Sequence, residues 1–232
     1  MKLPRTAAMA TDPPITQQIT KEHREIKRPP VNVRLEDVED YLIYDRHGVS
    51  TYFKELYQDR KSVIIFVRNF LCHTCKEYVD DLSRIPAEVL KEAGLRLVVI
   101  GQSSHHHIES FCSLTGYPHD MYVDPERCIY KRLGMRRGEM SVESTKPSPH
   151  VKSGMLVGHM KSMWRAMTSP IFDFQGDPRQ QGGAIIVGPG SEVHFAHFDM
   201  NRLDHMPINW LLQLSGVQHT LDLSDKPKII VV

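Results

Sequence analysis

The sequence predicts an α/β protein with a central mixed sheet flanked by helices. Two apolar runs, Val63–Val67 and Leu95–Ile100, lack the alternation of half-exposed strands and are typical of central strands buried on both faces. Segments of helical periodicity separate the strands, and Ala184–Val187 with the Gly-Pro-Gly turn after it begins a hairpin. The thioredoxin-like fold has this order of elements, with strands separated by helices, then a hairpin and a last helix.

The composition limits the classes of partner. The chain has 232 residues and is 41% hydrophobic, which is enough for one domain with a sizeable core. Its 29 Lys and Arg residues balance 28 Asp and Glu residues, so charge gives no reason to expect nucleic acid or an anionic membrane as a partner. No apolar run approaches the roughly 20 residues of a membrane span. The N-terminal segment lacks the apolar core of a secretory signal, so we expect a cytoplasmic location.

The pattern along the chain predicts one domain between two tails. Residues 1–30 are polar and rich in proline, as in a mobile tail, and residues 31–222 are expected to form the thioredoxin-like domain. Residues 223–232 are assigned to a C-terminal tail. Between about 135 and 181 we expect an insertion before the C-terminal hairpin, in which residues 155–167 have the pattern of an amphipathic helix.

Two local patterns give specific expectations. Asp124 followed by Pro125 is a preferred way to start a helix, with a carboxylate cap and then proline. In the second arm of the hairpin, residues 192–198 alternate, and Val193 and Phe195 are expected to face inward together. A last helix is expected to follow near residue 207.

The strongest functional signal is the motif Cys72-His-Thr-Cys75, which lies between a buried strand and an amphipathic helix. At the N-terminus of a helix, free N–H groups and the helix dipole favour a thiolate. Such sites lower the pKa of a thiol from about 8.5 to roughly 3.5–7.5. A thiolate attacks an oxidised substrate, and the second cysteine resolves the mixed disulfide. The position of the motif therefore predicts thiol–disulfide chemistry.

The two cysteines are expected to have different roles. Cys72 is nearer to the loop and is expected to attack, whereas Cys75 is one turn further into the helix and is expected to resolve. Arg68 precedes the motif and is a candidate for stabilising a thiolate or a peroxide oxygen. An ordinary arginine at the end of a strand explains it equally well.

A structural zinc site is the principal alternative, because Cys-X-X-Cys forms half of many such sites. The other two cysteines, Cys112 and Cys128, lack the spacing of a second ligand pair and are expected to pack in the core. Consecutive residues on a helix point in different directions, so the three histidines 105–107 are expected at an exposed helix start. We therefore favour redox chemistry, with no bound metal or cofactor.

Several longer segments resemble the signature of the peroxiredoxin-like 2 family, over about residues 35–222. They are Phe66–Val79, Val99–Ser104, Tyr122–Pro125, Tyr130–Gly134, Phe174–Asp177 and Asn201–His205. The resemblance implies a thioredoxin-like fold of the AhpC/TSA type and a redox-active pair at Cys72 and Cys75. In ordinary peroxiredoxins a Thr or Ser lies three residues before the peroxidatic cysteine. Here Asn69 precedes Cys72 at that spacing and Cys72 precedes Cys75, so in the peroxiredoxin register Cys75 would be the nucleophile.

The resemblance also implies a function. It implies a peroxiredoxin-like antioxidant oxidoreductase that receives electrons from thioredoxin or another thiol donor using NADPH. Its substrate would be a small oxidised molecule or a protein thiol. One family member is a prostaglandin F synthase and another is an antioxidant regulator. A prostaglandin-endoperoxide reductase and a non-catalytic redox-sensitive regulator of signalling or metabolism are therefore the alternatives.

Overall fold

The computed structural model describes residues 33–138, 148–151, 176–218 and 221–223. Within these ranges the strands are β1 (Leu42–Tyr44), β2 (Ser50–Tyr52), β3 (Ser62–Phe66), β4 (Arg96–Gly101), β5 (Asp120–Val123), β6 (Gly183–Val187) and β7 (Val193–Phe198). The α-helices are α1 (His73–Leu82), α2 (Ala87–Glu92), α3 (Ile108–Thr115), α4 (Cys128–Arg132) and α5 (Ile208–Leu214). Short 3-10 turns cover Leu35–Asp37, Phe53–Leu56 and His105–His107.

The seven strands form one mixed sheet in the order β2-β1-β5-β4-β3-β6-β7. Strand β3 runs parallel to β4, and β4 runs parallel to β5. The other neighbours are antiparallel, including β6 with β3 and the hairpin of β6 with β7. The predicted α/β class and the mixed, helix-flanked sheet are confirmed.

Strand β3 is buried along its whole length because both faces of the sheet are covered. Val63 and Ile65 belong to the hydrophobic layer that contains residues of α1, α3 and α5. Ile64 and Phe66 belong to the opposite layer. Each such buried side chain contributes roughly 1.5–3 kcal/mol relative to an exposed one. The continuous apolar run in the sequence therefore indicates that both faces of β3 are buried.

The helix expected at Asp124 begins later than predicted. Helix α4 starts at Cys128, and the Asp124 carboxylate accepts hydrogen bonds from the backbone N–H groups of Cys128 and Ile129, at 3.0 and 2.8 Å. Arg127 immediately before the helix has a φ of 58°. The carboxylate thus caps the helix although a turn lies between them. The sequence alone does not show whether the helix begins directly after Asp124 or after such a turn.

Val193 and Phe195 both face a core layer, as expected, but they do so on opposite faces of the sheet. Val193 packs against the layer that contains Ile64, whereas Phe195 packs against the opposite layer. The pairing register of β6 with β7 shifts between Ile186 and Val187, and the residue added by such a bulge reverses the faces that follow it.

Several expectations concern residues outside the described ranges. They are the N-terminal tail 1–30, the C-terminal tail beyond 223, the helix at 155–167 and most of the insertion between 135 and 181. In the part of the chain that the structure describes, no helix is long and apolar enough to cross a membrane.

Candidate functional site

The Cys-X-X-Cys motif lies at the junction of β3 and α1. Cys72 is the N-cap residue of α1, with extended dihedrals, and its carbonyl accepts a hydrogen bond from the Lys76 N–H at 3.1 Å. The loop before it is a tight turn, in which Cys72 N donates to the Asn69 carbonyl at 3.2 Å and Leu71 N donates to the Asn69 side chain at 3.1 Å. The thiol therefore lies at the helix N-terminus, where N–H groups have no partner within the helix itself.

The Cys72 sulfur is surrounded by groups that stabilise a negative charge. Arg68 Nη1 lies 3.7 Å from it, and the Thr74 hydroxyl lies 3.1 Å from it. A hydrogen bond from Cys75, the charge of Arg68 and the Thr74 hydroxyl lower the pKa of Cys72 well below its ordinary value, although burial alone would raise it. Cys72 is 8% exposed, so it is more buried than the sequence suggested.

Cys75 has the opposite environment. It is fully buried, on the face of α1 that also carries Tyr78 and Val79. Burial, followed by the neighbouring Cys72, raises the pKa of Cys75 well above its ordinary value. The surroundings therefore favour the negative charge on Cys72 rather than on Cys75.

Arg68 is held against the thiol by a second segment of the chain. Its Nε donates to the Gln180 carbonyl at 3.2 Å, and its Nη2 donates to the Pro178 carbonyl. The Gln102 amide, at the end of β4, donates to the Arg68 carbonyl and to the Asp177 carbonyl, the latter at 3.0 Å. Arg68 is only 7% exposed, and the carbonyls of Pro178 and Gln180 fix the position of its guanidinium.

The segment that holds Arg68, residues 176–181, is called the covering segment, and an ion-pair cluster anchors it. The Asp177 carboxylate contacts Arg127 at 2.6 Å and Arg137 at 2.7 Å. Its backbone N–H donates to Gln102 at 3.0 Å. Residues 176–181 are therefore tied to several distant parts of the chain and reach the thiols through Arg68, which local sequence patterns did not reveal.

The structure brings together the three residues predicted for the site, Arg68, Cys72 and Cys75. All four cysteines of the chain are free thiols. Cys112 is buried, as expected. Cys128 is not a core residue, because it is the first residue of α4 and its sulfur lies 3.8 Å from the Glu126 carboxylate on the surface.

The three histidines form the 3-10 turn that leads into α3, with His106 exposed. The rings of His105 and His106 are 3.9 Å apart. Among the described residues, no group of three or more His, Cys, Asp or Glu side chains is arranged to hold a metal ion.

Sequence reasoning missed a buried polar pair next to α1. His205 stacks on Tyr78, with ring centroids 4.9 Å apart, and its Nδ1 lies 2.9 Å from the Asp199 carboxylate. Both residues of the pair are almost fully buried. His205 belongs to the segment Asn201–His205 of the family resemblance, which was the available signal, although it assigned the histidine no role.

Comparisons with known proteins agree with this architecture. A family model described as AhpC/TSA antioxidant enzyme matches residues 81–201, which begin just after the cysteine motif. Peroxiredoxin-like 2C of Takifugu rubripes is 69% identical over 221 residues, covering 94% of this chain and 97% of that protein. The chain belongs to the peroxiredoxin-like 2 family. Peroxiredoxin-like 2C of Homo sapiens is 56% identical, covering 84% of this chain and 85% of its own length.

Solved structures share the fold at low identity. A peroxidoxin BcpB from Mycobacterium tuberculosis has a TM-score of 0.55 and 11% identity, covering 83% of this chain and all of that one. A reduced Prx3 from Vibrio vulnificus in complex with H2O2 has a TM-score of 0.53 and 14% identity, covering 82% and 99%. These likenesses show that the peroxiredoxin-like 2 chain has the thioredoxin-like fold of peroxiredoxins.

Proposed function

We propose that the chain is a thiol–disulfide oxidoreductase in which Cys72 attacks an oxidised substrate and Cys75 resolves the intermediate. The observation that carries the proposal is the unequal environment of the two thiols. Cys72 lies at the N-terminus of α1 within 3.7 Å of Arg68, whereas Cys75 is fully buried. Membership of a thiol-dependent antioxidant family supports the same chemistry.

The proposed cycle moves two electrons from the cysteine pair to the substrate. The Cys72 thiolate attacks one sulfur of a disulfide, or one oxygen of a peroxide, and the S–S or O–O bond breaks. The leaving group takes a proton. Cys75 then loses its proton and attacks Cys72, which forms the intramolecular disulfide and releases the second half of the substrate.

A thiol donor would restore the reduced pair. Thioredoxin, or another donor that draws electrons from NADPH, would attack the Cys72–Cys75 disulfide by the same exchange chemistry. No bound cofactor is needed for this step. The proposal includes a cytoplasmic location, where such donors keep thiols reduced.

The environment of the thiols favours Cys72 as the nucleophile, rather than Cys75, which the peroxiredoxin register would assign. In that register Cys75 would attack, but burial raises its pKa. Thr74, which directly precedes Cys75, has its hydroxyl on the Cys72 sulfur instead. Asn69 uses its side chain to close the turn before the motif.

Reduction of a prostaglandin endoperoxide is a second candidate. Prostamide/prostaglandin F synthase of Aquarana catesbeiana is 26% identical over 183 residues, covering 78% of this chain and 87% of that protein. The same cysteine cycle would serve, because two thiols supply two electrons and two protons, converting the O–O bond into two hydroxyl groups.

Turnover tests both candidates. The full chain is assayed with thioredoxin, thioredoxin reductase and NADPH against hydrogen peroxide, a disulfide and a prostaglandin endoperoxide. We expect NADPH consumption with at least one substrate, abolished by Cys72→Ser and Cys75→Ser. Cys128→Ser is the matched control, because its thiol lies outside the site, and it should retain the rate.

The trapped intermediate assigns the roles. Cys75→Ser should accumulate a mixed disulfide through Cys72, detected by intact mass. Rapid alkylation that persists in Cys72→Ser would assign the nucleophile to Cys75 instead. If no substrate is turned over although the pair oxidises reversibly, the chain is a redox-sensitive regulator.

A further inference from the structure

The buried pair of His205 and Asp199 has no role in the cycle described so far. Its side chains are only 3% and 1% exposed, and Nδ1 of the histidine lies 2.9 Å from Oδ2 of the aspartate. Burying two charges carries a large desolvation cost, and apolar residues of the same volume often stabilise a core equally well. Such a pair beside reactive thiols is therefore a candidate for function.

The fold brings this pair to the end of the sheet that carries the thiols. Asp199 follows β7 directly, and its N–H donates to the Gly182 carbonyl at 3.0 Å. Gly182 precedes β6, whose first residue pairs with Phe66 at the end of β3. The ring of His205 stacks on Tyr78, one helical turn after Cys75 on α1. The imidazole thus lies against the helix that holds both cysteines.

One nitrogen of His205 is available for a proton exchange. Among the described residues, Nε2 has no hydrogen-bond partner although it is buried. An unsatisfied buried group of this kind destabilises the folded chain. Burial alone would lower the pKa of His205, but Asp199 and a charge on Cys72 raise it, while Arg68 lowers it, and the net shift is upward.

We propose that His205, held by Asp199, keeps the proton that Cys72 gives up and delivers it to a leaving thiolate when the cysteine pair is oxidised. The reduced site is then a thiolate–imidazolium pair, and the oxidised site contains a neutral imidazole. The delivery step rests on the thiol–disulfide cycle proposed above.

The step balances for a disulfide substrate R–S–S–R′. The Cys72 thiolate attacks one sulfur, the S–S bond breaks, and R′S⁻ leaves and takes the proton of the Cys75 thiol. Cys75 then attacks Cys72, the new S–S bond forms, and RS⁻ leaves with the proton of His205. The products are the Cys72–Cys75 disulfide, RSH, R′SH and neutral His205, and two electrons have moved to the substrate.

The other titratable groups around His205 leave this assignment intact. From β7, His197 lies 3.4 Å from the second oxygen of Asp199 and 3.7 Å from Asp204. From α1, Tyr78 presents its ring, and burial followed by Asp199 raises its pKa well above the ordinary value, so its phenol stays neutral. Cys72 and Arg68 are the charged groups on the side of the thiol loop.

A second buried histidine that contacts Tyr78 provides a matched control. His150 also packs against that ring, at 5.2 Å between centroids, and its Nδ1 lies 2.8 Å from Asp81. His150→Gln therefore removes a comparable buried pair from the same helix. A purely structural role of His205 predicts the same outcome for both variants.

The first test is the pH profile of Cys72 alkylation by iodoacetamide in the full, reduced chain. We expect His205→Gln to move the midpoint to higher pH and to slow alkylation about tenfold at neutral pH, because one nearby positive charge is lost. Asp199→Asn should move the midpoint in the same direction, and His150→Gln should leave it unchanged. An unchanged midpoint in His205→Gln, or an equal shift in the control, overturns the proposal.

The second test needs no variant and covers the case in which His205→Gln does not fold. The imidazole resonances of the wild-type chain are titrated by NMR in the reduced and oxidised states. The His205 resonance should titrate at lower pH in the oxidised state, because the thiolate is gone. Identical titration in both states overturns the proposal. Neither measurement requires turnover, so failure of the oxidoreductase function would be seen separately, in the coupled assay.

Discussion

Removing the positive charge beside Cys72 should slow the reaction of its thiol. The proposed change is Arg68→Met, which keeps most of the apolar stem. Arg68 Nη1 lies 3.7 Å from the sulfur, and two unit charges about 4 Å apart interact by about 4 kcal/mol at an effective dielectric constant of 20. Water that enters the vacated space recovers part of this energy. We therefore expect a net loss of about 1.5–3 kcal/mol in thiolate stabilisation, or about 10- to 100-fold in the thiolate fraction.

The assay is the rate of iodoacetamide labelling of Cys72 as a function of pH. The variant should label about 10- to 100-fold more slowly at a pH below the midpoints of both proteins, and at the wild-type rate at high pH. Arg68→Lys should be intermediate, because it keeps the charge without the two contacts to backbone carbonyls.

Arg137→Ala is the control for loosening of the covering segment. Arg137 contacts Asp177 at 2.7 Å and its side chain is 64% exposed, so its loss perturbs the segment without removing charge from the thiol. A pH profile of Arg68→Met that superimposes on that of the wild type would refute the electrostatic role of Arg68.

Three further predictions follow from the structure. Oxidation should link Cys72 to Cys75 and leave Cys112 and Cys128 as free thiols, and peptide mapping that finds either of the latter in the main bridge would contradict this. Protein purified under reducing conditions should contain no stoichiometric zinc, and elemental analysis giving about one zinc per chain would restore the structural-zinc alternative. Tyr130→Phe should lower the free energy of unfolding by about 1–2 kcal/mol in urea titration. The reason is that the Tyr130 hydroxyl lies 2.8 Å from the carbonyl of Val67, just after β3, and 2.7 Å from the carbonyl of Ile100 in β4. An unchanged urea midpoint would show that these hydrogen bonds do not stabilise the fold.

The sequence alone predicted the elements whose burial is complete. The run Val63–Val67 and the run Leu95–Ile100 became β3 and β4, within one residue at each end. Both strands are covered on two faces, so their composition cannot be confused with an exposed element. The last helix was also predicted near residue 207, and it begins at Ile208. Patterns of this kind depend on local chain geometry, and the sequence contains them directly.

Finer details of the chain path depended on contacts between distant residues. The bulge between β6 and β7 separates Val193 from Phe195, and it follows from the pairing of two strands rather than from the residues of one. Cys128 was expected in the core because its neighbours are apolar, but the turn after Asp124 places it at the surface. A change of one residue in strand register or in the start of a helix changes the direction in which a side chain faces, and the neighbouring sequence does not specify such a change.

The candidate site divides in the same way. The sequence by itself pointed to Arg68, Cys72 and Cys75, because all three lie within eight consecutive positions between a buried strand and the first turn of a helix. Only the tertiary structure brought the carbonyl of Gln180 to Arg68, 112 positions apart, and His205 to Tyr78. Those contacts form at one end of the strands, where β3 and β7 end and β6 begins. The pairing of strands decides that arrangement, and no local spacing in the chain reports it.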